Sequence, residues 1–161
     1  MTLTVSLAGA DERALVARLA QLYFHDFSEF DGEDVGPSGL YEIAWLEQYW
    51  REPNAAYIFR LDGFVAGFCL VDQDTLLDGS QNSIAEFFIL RKYRGTGVGL
   101  RAASAVLNKR PGVWEASQIA SNLPAQAFWR RVASAFGANE EVFVNDERWH
   151  GSVQQFTAIA A

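Results

Sequence analysis

The sequence has very few of the residues that build cross-links, metal centres or membrane spans. Its single cysteine, Cys69, lies in the apolar run GFVAGFCLV, so cysteines can form neither a disulfide nor a zinc site within the chain. The two histidines, His25 and His150, are isolated rather than set at metal-ligand spacing. No apolar stretch approaches the roughly 20 residues that cross a bilayer, and the amino end lacks a secretory signal. These absences predict a cytoplasmic protein with no metal site and no membrane partner.

Positive charge is also scarce, with 13 Lys and Arg against 20 Asp and Glu and a net charge of −7. This balance argues against a nucleic-acid partner, which would require a basic face. The charges are unevenly placed, because residues 1–90 sum to −11 and residues 91–161 to +4. A basic stretch in an acidic protein is typical either of an anion-binding region or of a solvated helix face, and charge alone leaves both open.

The hydrophobic content of the chain and its periodicity indicate one compact α/β domain over residues 1–161. Half of the residues are hydrophobic, enough to bury a core. Hydrophobic periodicity predicts the element order βααβββαβαββ. The first helix is predicted over residues 11–27 with Asp11 as its capping candidate, the second helix over residues 40–50 and the last strand over residues 149–160. Asp62 and Gly63 supply the tight turn of a hairpin between the second and third strands.

A glycine-rich loop, RKYRGTGVGLR, follows the apolar strand IAEFFIL and precedes a helix-like segment. Free N–H groups and the positive end of a helix dipole would meet there, which is how proteins bind phosphate. A dinucleotide GxGxxG motif is excluded because Leu100 and Ala102 stand where its last glycine would be, and the Gly-Lys-Ser/Thr ending of a P-loop is absent. The remaining pattern is Arg94-x-x-Gly97-x-Gly99, in which Arg94 would help to neutralise the anion.

This pattern, together with the later segment NLPAQAFWRRVASAFG, resembles the GNAT superfamily of acyl-CoA-dependent N-acetyltransferases. The first motif matches that family's Q/R-x-x-G-x-G/A loop, and the second its N-x-x-A-x-x-F segment. The resemblance implies a twisted mixed sheet, flanked by helices and splayed between the fourth and fifth strands, with acetyl-CoA in the opening. By resemblance, the cofactor contacts would come from the fourth strand, the loop and the later helix: Phe88, Ile89, Leu90, Arg94, Gly95, Thr96, Gly97, Val98, Gly99, Leu100, Asn122, Ala125 and Trp129.

Chemistry in this family is direct attack of an amine on the thioester, which needs a base because amines are mostly protonated at neutral pH. Glu86, on the strand that would approach the acetyl group, is the first candidate base, and Glu115 on the fifth strand is the second. Both could instead be structural. Many relatives carry a tyrosine acid where this chain has Trp129, whose indole can only donate a hydrogen bond. Tyr93, Ser121 or water stay open as the acid, as does unassisted departure of the thiolate.

In this family the acceptor pocket is made by the loop between the first two helices and by the last strands, here FHDFSEFDGEDVGPSG and NDERWHG. The segment FHDFSEFDGEDVGPSG combines acidic and aromatic residues suited to a cationic amine, although a merely solvated acidic loop would look the same. Small-molecule and peptide amines both remain open, as do a homodimer and an alternative role as an acyl-CoA-binding sensor or accessory module. The predicted acceptor contacts are Phe27, Phe30, Tyr41, Trp45 and Trp114.

Overall fold

The computed structural model describes residues 1–137 and 139–159, which form a seven-stranded sheet with helices on both faces. Ala160, at the end of the last predicted strand, lies outside the described residues, as do Ala138 and Ala161. The strands are β1 (Leu3–Leu7), β2 (Ala55–Leu61), β3 (Phe64–Asp72), β4 (Asn82–Ile89), β5 (Gly112–Ile119), β6 (Asn139–Asn145) and β7 (His150–Ala158); the α-helices are α1 (Arg13–Asp31), α2 (Val98–Leu107) and α3 (Leu123–Ala135).

The strand order in the sheet is β1-β2-β3-β4-β5-β7-β6. The β4–β5 pair is parallel, and the other neighbouring strands run antiparallel. The predicted mixed sheet flanked by helices is therefore confirmed. Asp62 and Gly63 form the hairpin turn between β2 and β3, with φ angles of 50° and 84° that suit a tight two-residue turn. Within the described ranges, none of the helices is long and apolar enough to cross a bilayer.

Two hydrophobic clusters cover the two faces of the sheet. Side chains of α2 and α3, such as Val106 and Val132, pack with Phe59 and Trp114 on one face. Side chains of α1 and of a 3-10 helix pack with Phe68 and its neighbours on the other face. The apolar positions of each helix thus cover the sheet from one side, which is what their helical spacing predicted.

The second predicted helix is a 3-10 helix, Ala44–Trp50, and begins later than expected. The N–H of Tyr41 donates to the side chain of Gln21 on α1, so the chain before Ala44 is held by α1 rather than by its own helical bonds. Leu46 and Tyr49 are the buried residues of this segment, and their spacing of three matches the 3-10 repeat.

The first helix extends further than the sequence pattern indicated. A short 3-10 turn, Ala10–Glu12, precedes it, and the carboxylate of Glu12 rather than Asp11 accepts a backbone N–H, that of Gly9. The helix then continues to Asp31 and ends at Gly32, which has φ 72°. The acidic and aromatic residues predicted for a loop therefore lie partly on α1.

Two glycines pair with the last residues of β4 and β5: Gly67 of β3 lies opposite Ile89, and Gly151 of β7 lies opposite Ile119. A Cβ at Gly67 of β3 would overlap the carbonyl oxygen of Phe88 on β4. A Cβ at Gly151 of β7 would overlap the carbonyl oxygen of Gln118 on β5. Each of the two central strands is therefore in unusually close backbone contact with its outer neighbour.

Candidate active site

A wedge-shaped gap separates β4 from β5 at their carboxyl ends. The two strands pair from Asn82 to Ile84 of β4, and their ladder stops there. β4 nevertheless continues to Ile89 and β5 to Ile119. The splayed sheet that the resemblance implied is therefore present.

The free edge of β4 faces this gap at Ile89. The N–H of Leu90 donates to the carbonyl of Ala66 on β3 at 2.8 Å. Because backbone groups alternate in direction along a strand, the N–H and carbonyl of Ile89 point away from β3 and toward the gap. This edge can therefore pair with an amide-bearing ligand through backbone atoms.

The glycine-rich loop presents backbone N–H groups at the wide end of the gap. Gly95 and Gly97 have φ angles of 73° and 85°, a conformation that glycine adopts without strain. Among the described residues, no protein acceptor pairs with the N–H groups of Gly95, Thr96 and Gly97, and Gly97 caps the start of α2. Exposed N–H groups at a helix N-terminus form a site for a phosphate-sized anion.

Gly99 serves a packing role in the same motif. A Cβ at this position would lie 3.1 Å from the Phe128 ring of α3 and 3.7 Å from the Ile89 side chain. Glycine therefore lets α2 approach β4 and α3 closely, which keeps the helix N-terminus beside the gap.

The side chain of Arg94 is committed to protein partners. Its Nε donates to the Ile89 carbonyl at 2.8 Å, its guanidinium lies 5.5 Å from the centre of the Phe88 ring, and it pairs with Asp26 of α1 at 2.6 Å. Arg91 pairs with the other carboxylate oxygen of Asp26 at 2.5 Å. The pKa of Asp26 is lowered: burial opposes ionisation, but the two arginines outweigh it. Arg94 thus connects the loop, β4 and α1, in addition to the charge that the sequence analysis assigned to it.

A cavity of about 630 Å³ joins the gap, the loop and α1. The predicted cofactor residues that line it are Phe88, Ile89, Arg94, Gly95, Gly97, Gly99, Leu100, Asn122, Ala125 and Trp129. Leu90, Thr96 and Val98 are not part of its lining, and Val98 is buried in the core. The cofactor residues predicted from both motifs thus come together around one opening.

The acceptor residues predicted from sequence divide into two groups. Phe27 and Phe30 line the cavity. Trp114 is fully buried in the core, where its Nε1 donates to the Arg110 carbonyl at 2.9 Å, so it cannot contact an acceptor. Tyr41 and Trp45 pack beside Phe24 outside the lining.

A β-bulge determines where Glu86 points. Leu70 pairs with Glu86 and Val71 with Ile84, so Ala85 is an extra residue in β4. Ile84 and Phe87 consequently share the face covered by α2 and α3. Glu86 lies with Phe88 on the face covered by α1. Strict alternation from Ile84 would instead have put Glu86 in the α2–α3 core.

The carboxyl of Glu86 has a pKa raised to about 7. Burial is the main cause, an interaction with the Tyr23 hydroxyl opposes it, and the negative charges of Asp72 and Asp31 raise it further. The pKa of Tyr23 is raised well above its usual value, mainly by burial and also by Glu86. At neutral pH Glu86 can therefore both accept and release a proton, while Tyr23 keeps its own.

The carboxylate of Glu115 is buried and hydrogen-bonded to backbone N–H groups. It lies in the paired half of the β4–β5 ladder opposite Ser83, and its side chain is 1% exposed. Its two oxygens accept the N–H groups of Leu76 and Leu77, at 2.5 and 3.0 Å. This carboxylate anchors the loop between β3 and β4. Glu86 is not a lining residue of the cavity either, but its neighbours Tyr23 and Phe88 are, so Glu86 is the better-placed candidate base.

At the start of α3, Asn122 caps the helix, since its side-chain oxygen accepts the Ala125 N–H at 3.2 Å. Its amide NH₂ group is the part that could donate to a ligand. Trp129 is 5% exposed and packs edge-on against Phe87 and Phe128, with ring centres 5.3 and 5.2 Å apart. Trp129 therefore forms an apolar wall of the cavity.

Neither side chain considered as an acid lines the cavity. Tyr93 packs against the α2–α3 core. The Ser121 hydroxyl donates to the Phe30 carbonyl at 3.1 Å, which ties the end of α1 to the turn before α3. The structure thus uses both side chains to hold elements together.

Tyr23 is a cavity residue that the sequence did not point to, and Asp26 was expected there only as one acidic residue of the acceptor segment. With Phe27 and Phe30 they stand at positions i, i+3, i+4 and i+7 of α1, one face of a helix. This spacing was visible in the sequence, but the predicted helix ended too early to include Phe30.

Comparison with known proteins agrees with this geometry. The model of the Acetyltransferase (GNAT) family matches residues 16–133. An acetyltransferase from Thermus thermophilus has 18% identity and a TM-score of 0.68, with 98% of each chain covered. The aminoglycoside acetyltransferase AAC(6')-Ib, solved in complex with coenzyme A, has 16% identity and a TM-score of 0.68, covering 97% of this chain and 95% of its own.

A ribosomal-protein alanine N-acetyltransferase from Escherichia coli has 13% identity and a TM-score of 0.57, covering 99% of this chain and 96% of its own. At these identities the solved structures show a shared fold. No curated protein sequence matches the chain significantly. With the family match covering both motifs, the splayed strands and the glycine loop, the chain belongs to the GNAT family of acetyltransferases.

Proposed function

We propose that the protein transfers the acetyl group of acetyl-CoA to the primary amine of a small molecule or peptide. The observation that carries this proposal is that one cavity joins the phosphate-type loop, the free edge of β4 and the wall of α1 that carries Tyr23 and Phe27. The first two features suit a diphosphate and an amide-rich arm, and the third suits an amine.

The residues fit acetyl-CoA through backbone groups. The N–H groups of Gly95, Thr96 and Gly97 would hold the diphosphate, and the Ile89 carbonyl at the edge of β4 would accept a hydrogen bond from a pantetheine amide. The Asn122 amide and the Trp129 ring would complete the wall on the side of α3. When bound, acetyl-CoA supplies the acetyl thioester.

Glu86 is the proposed base. Its carboxyl, with a pKa of about 7, is about half ionised at neutral pH and can take a proton from the attacking ammonium, directly or through water. The N–H of Ile89, which points into the gap, would donate to the developing oxyanion. Trp129 cannot release a proton, and Tyr23 holds its own, so we assign no protein acid to the leaving sulfur. A thiol pKa of about 8.5 makes departure as a thiolate tolerable.

The acceptor is proposed to be cationic. The α1 face of the cavity carries Asp26 and Glu29 beside the rings of Tyr23, Phe27 and Phe30. Carboxylates and aromatic faces both attract an ammonium group. These groups favour an amine over an acidic or neutral acceptor.

The deciding experiment is thiol release from acetyl-CoA with a panel of spermidine, kanamycin, lysine and a short peptide with a free amino end. Release that depends on one of these amines supports the transferase. Binding of CoA by calorimetry without amine-dependent release would favour the alternative, an acyl-CoA-binding module, which the replacement of the usual tyrosine by Trp129 makes worth testing. Absence of CoA binding by folded protein would contradict both.

A further inference from the structure

Asp26 occupies a junction between the two halves of the cavity. Its carboxylate bridges Arg91 and Arg94, which lie 65 and 68 residues away in the chain, at 2.5 and 2.6 Å. Asp26 also lines the cavity, one turn of α1 beyond Tyr23 and next to Phe27. The same carboxylate therefore faces both the anion site and the proposed amine site.

The bridge places a negative charge where a diphosphate would bind. Asp26 neutralises one of the two positive charges that Arg91 and Arg94 bring to the loop, so it competes with any incoming phosphate for their N–H groups. A diphosphate carries more charge than a carboxylate and gains the loop amides as well, so it is the stronger partner. Arg91, whose side chain is 73% exposed, can turn to it freely.

Arg94 can change partner without leaving its place. Its Nε bond to the Ile89 carbonyl and its contact with the Phe88 ring do not involve Asp26. The guanidinium would thus keep its position while its outer N–H groups turn from the carboxylate to the phosphate.

Loss of both arginines would leave Asp26 with an unpaired charge. Its side chain is 19% exposed and stands among aromatic rings, where an uncompensated carboxylate is unfavourable. An ammonium group entering beside Phe27 would restore the pairing.

We propose that Asp26 exchanges partners during the reaction cycle: it holds Arg91 and Arg94 while the phosphate site is free, and it binds the acceptor ammonium once a diphosphate has taken the two arginines. The inference rests on the proposed function. It makes Asp26 a residue that determines acceptor specificity and that couples the cofactor site to the acceptor site.

The test compares Asp26→Asn with the wild-type protein and with Glu12→Gln. The control removes the same charge from a similar ion pair, Glu12 with Arg60 at 2.6 Å, in the 3-10 turn that precedes α1 and outside the cavity lining. Calorimetric titration with CoA alone should show roughly threefold to tenfold tighter binding by Asp26→Asn, because the internal competitor is gone. Glu12→Gln should bind CoA like the wild type.

The acceptor side is measured at saturating acetyl-CoA, with the amine that the thiol-release panel identifies. Asp26→Asn should raise KM for that amine at least fivefold and change kcat less, whereas Glu12→Gln should change neither. A crystal structure with CoA should show the arginines on the diphosphate and Asp26 released.

Three results would overturn the proposal: weaker or unchanged CoA binding by Asp26→Asn, an unchanged KM, or a bridge that persists in the CoA complex. Thermal unfolding of each variant checks that it is folded before these comparisons are made. A wild-type protein that fails to bind CoA would instead refute the proposed function, so the two failures are distinguishable. If CoA binds but no amine of the panel reacts, the binding titration and the complex still decide the exchange of partners.

Discussion

Replacing Glu86 by Gln should lower activity and remove the part of its pH dependence near neutrality that comes from ionisation of Glu86. With a pKa of about 7, roughly a tenth of the carboxyls are ionised at pH 6 and roughly nine tenths at pH 8, so the wild-type kcat should rise about ninefold over this interval. A positioned base contributes roughly a hundredfold to ten-thousandfold. Glu86→Gln should lose a factor in this range at pH 7 and recover part of it at higher pH, where more of the amine is already unprotonated.

The same substitution should stabilise the fold, because the raised pKa of Glu86 has a cost in stability. The carboxyl ionises near 4.5 as a model group and near 7 in the folded protein. Between these two values the folded state binds the proton more tightly than the unfolded state, so the free energy of unfolding falls as the pH rises. The cost is absent well below pH 4.5 and complete above pH 7. A shift of this size corresponds to at most about 3.4 kcal/mol, and partial exposure of the side chain reduces it to about 1–3 kcal/mol.

Thiol-release assays from pH 6 to 9 measure the effect of Glu86→Gln on activity, and urea unfolding at pH 4 and pH 8 measures its effect on stability. Glu140→Gln, at an exposed position of the edge strand β6, removes the same charge away from the cavity and serves as the matched control. The reasoning fails if Glu86→Gln keeps the wild-type pH profile. It also fails if the variant is less stable than the wild type at pH 8.

Two further substitutions test the cofactor loop and the structural role of Glu115 independently of each other. Gly97→Ala, at a φ of 85° with nothing within 4 Å of the added Cβ, should leave a folded protein about 1 kcal/mol less stable and weaken CoA binding in calorimetric titration; unchanged affinity would contradict the role of this loop. Glu115→Ala should leave the N–H groups of Leu76 and Leu77 without their acceptor and lower the free energy of unfolding by about 2–5 kcal/mol in urea titration. CoA affinity should change little in Glu115→Ala, and a catalytic role for Glu115 would regain support if stability were unaffected while turnover fell.

Short sequence motifs were enough to predict much of the cofactor side of the site. The conformation of a glycine and the start of a helix depend on a few neighbouring residues, so Gly95 to Gly99 could be interpreted directly from the chain. The same is true of the Asp62–Gly63 turn. The separation of β4 from β5 followed from the family resemblance rather than from the residues of the two strands.

Apart from the face of α1, the acceptor side depends on tertiary contacts that local sequence patterns did not reveal. Trp114 looked like a pocket residue, but the alternation of β5 directs it into the core on the face of α2 and α3. Glu115 and Glu86 are both carboxylates on strands beside the gap, and they differ in the partners that the fold brings to them. Loop amides surround Glu115, whereas the bulge at Ala85 directs Glu86 to α1. Asp26 pairs with Arg91 and Arg94, which lie 65 and 68 residues away in the sequence, so sequence spacing could not predict the pairing.

The tight contacts at Gly67 and Gly151 imply that the width of the gap between β4 and β5 depends on the two neighbouring strands, β3 and β7. An alanine at Gly67 would press on the backbone of β4 and move that strand toward β5, and an alanine at Gly151 would press on β5 from the opposite side. Neither glycine lines the cavity. Variation at these two positions would therefore change the width of the gap while every lining residue stays the same.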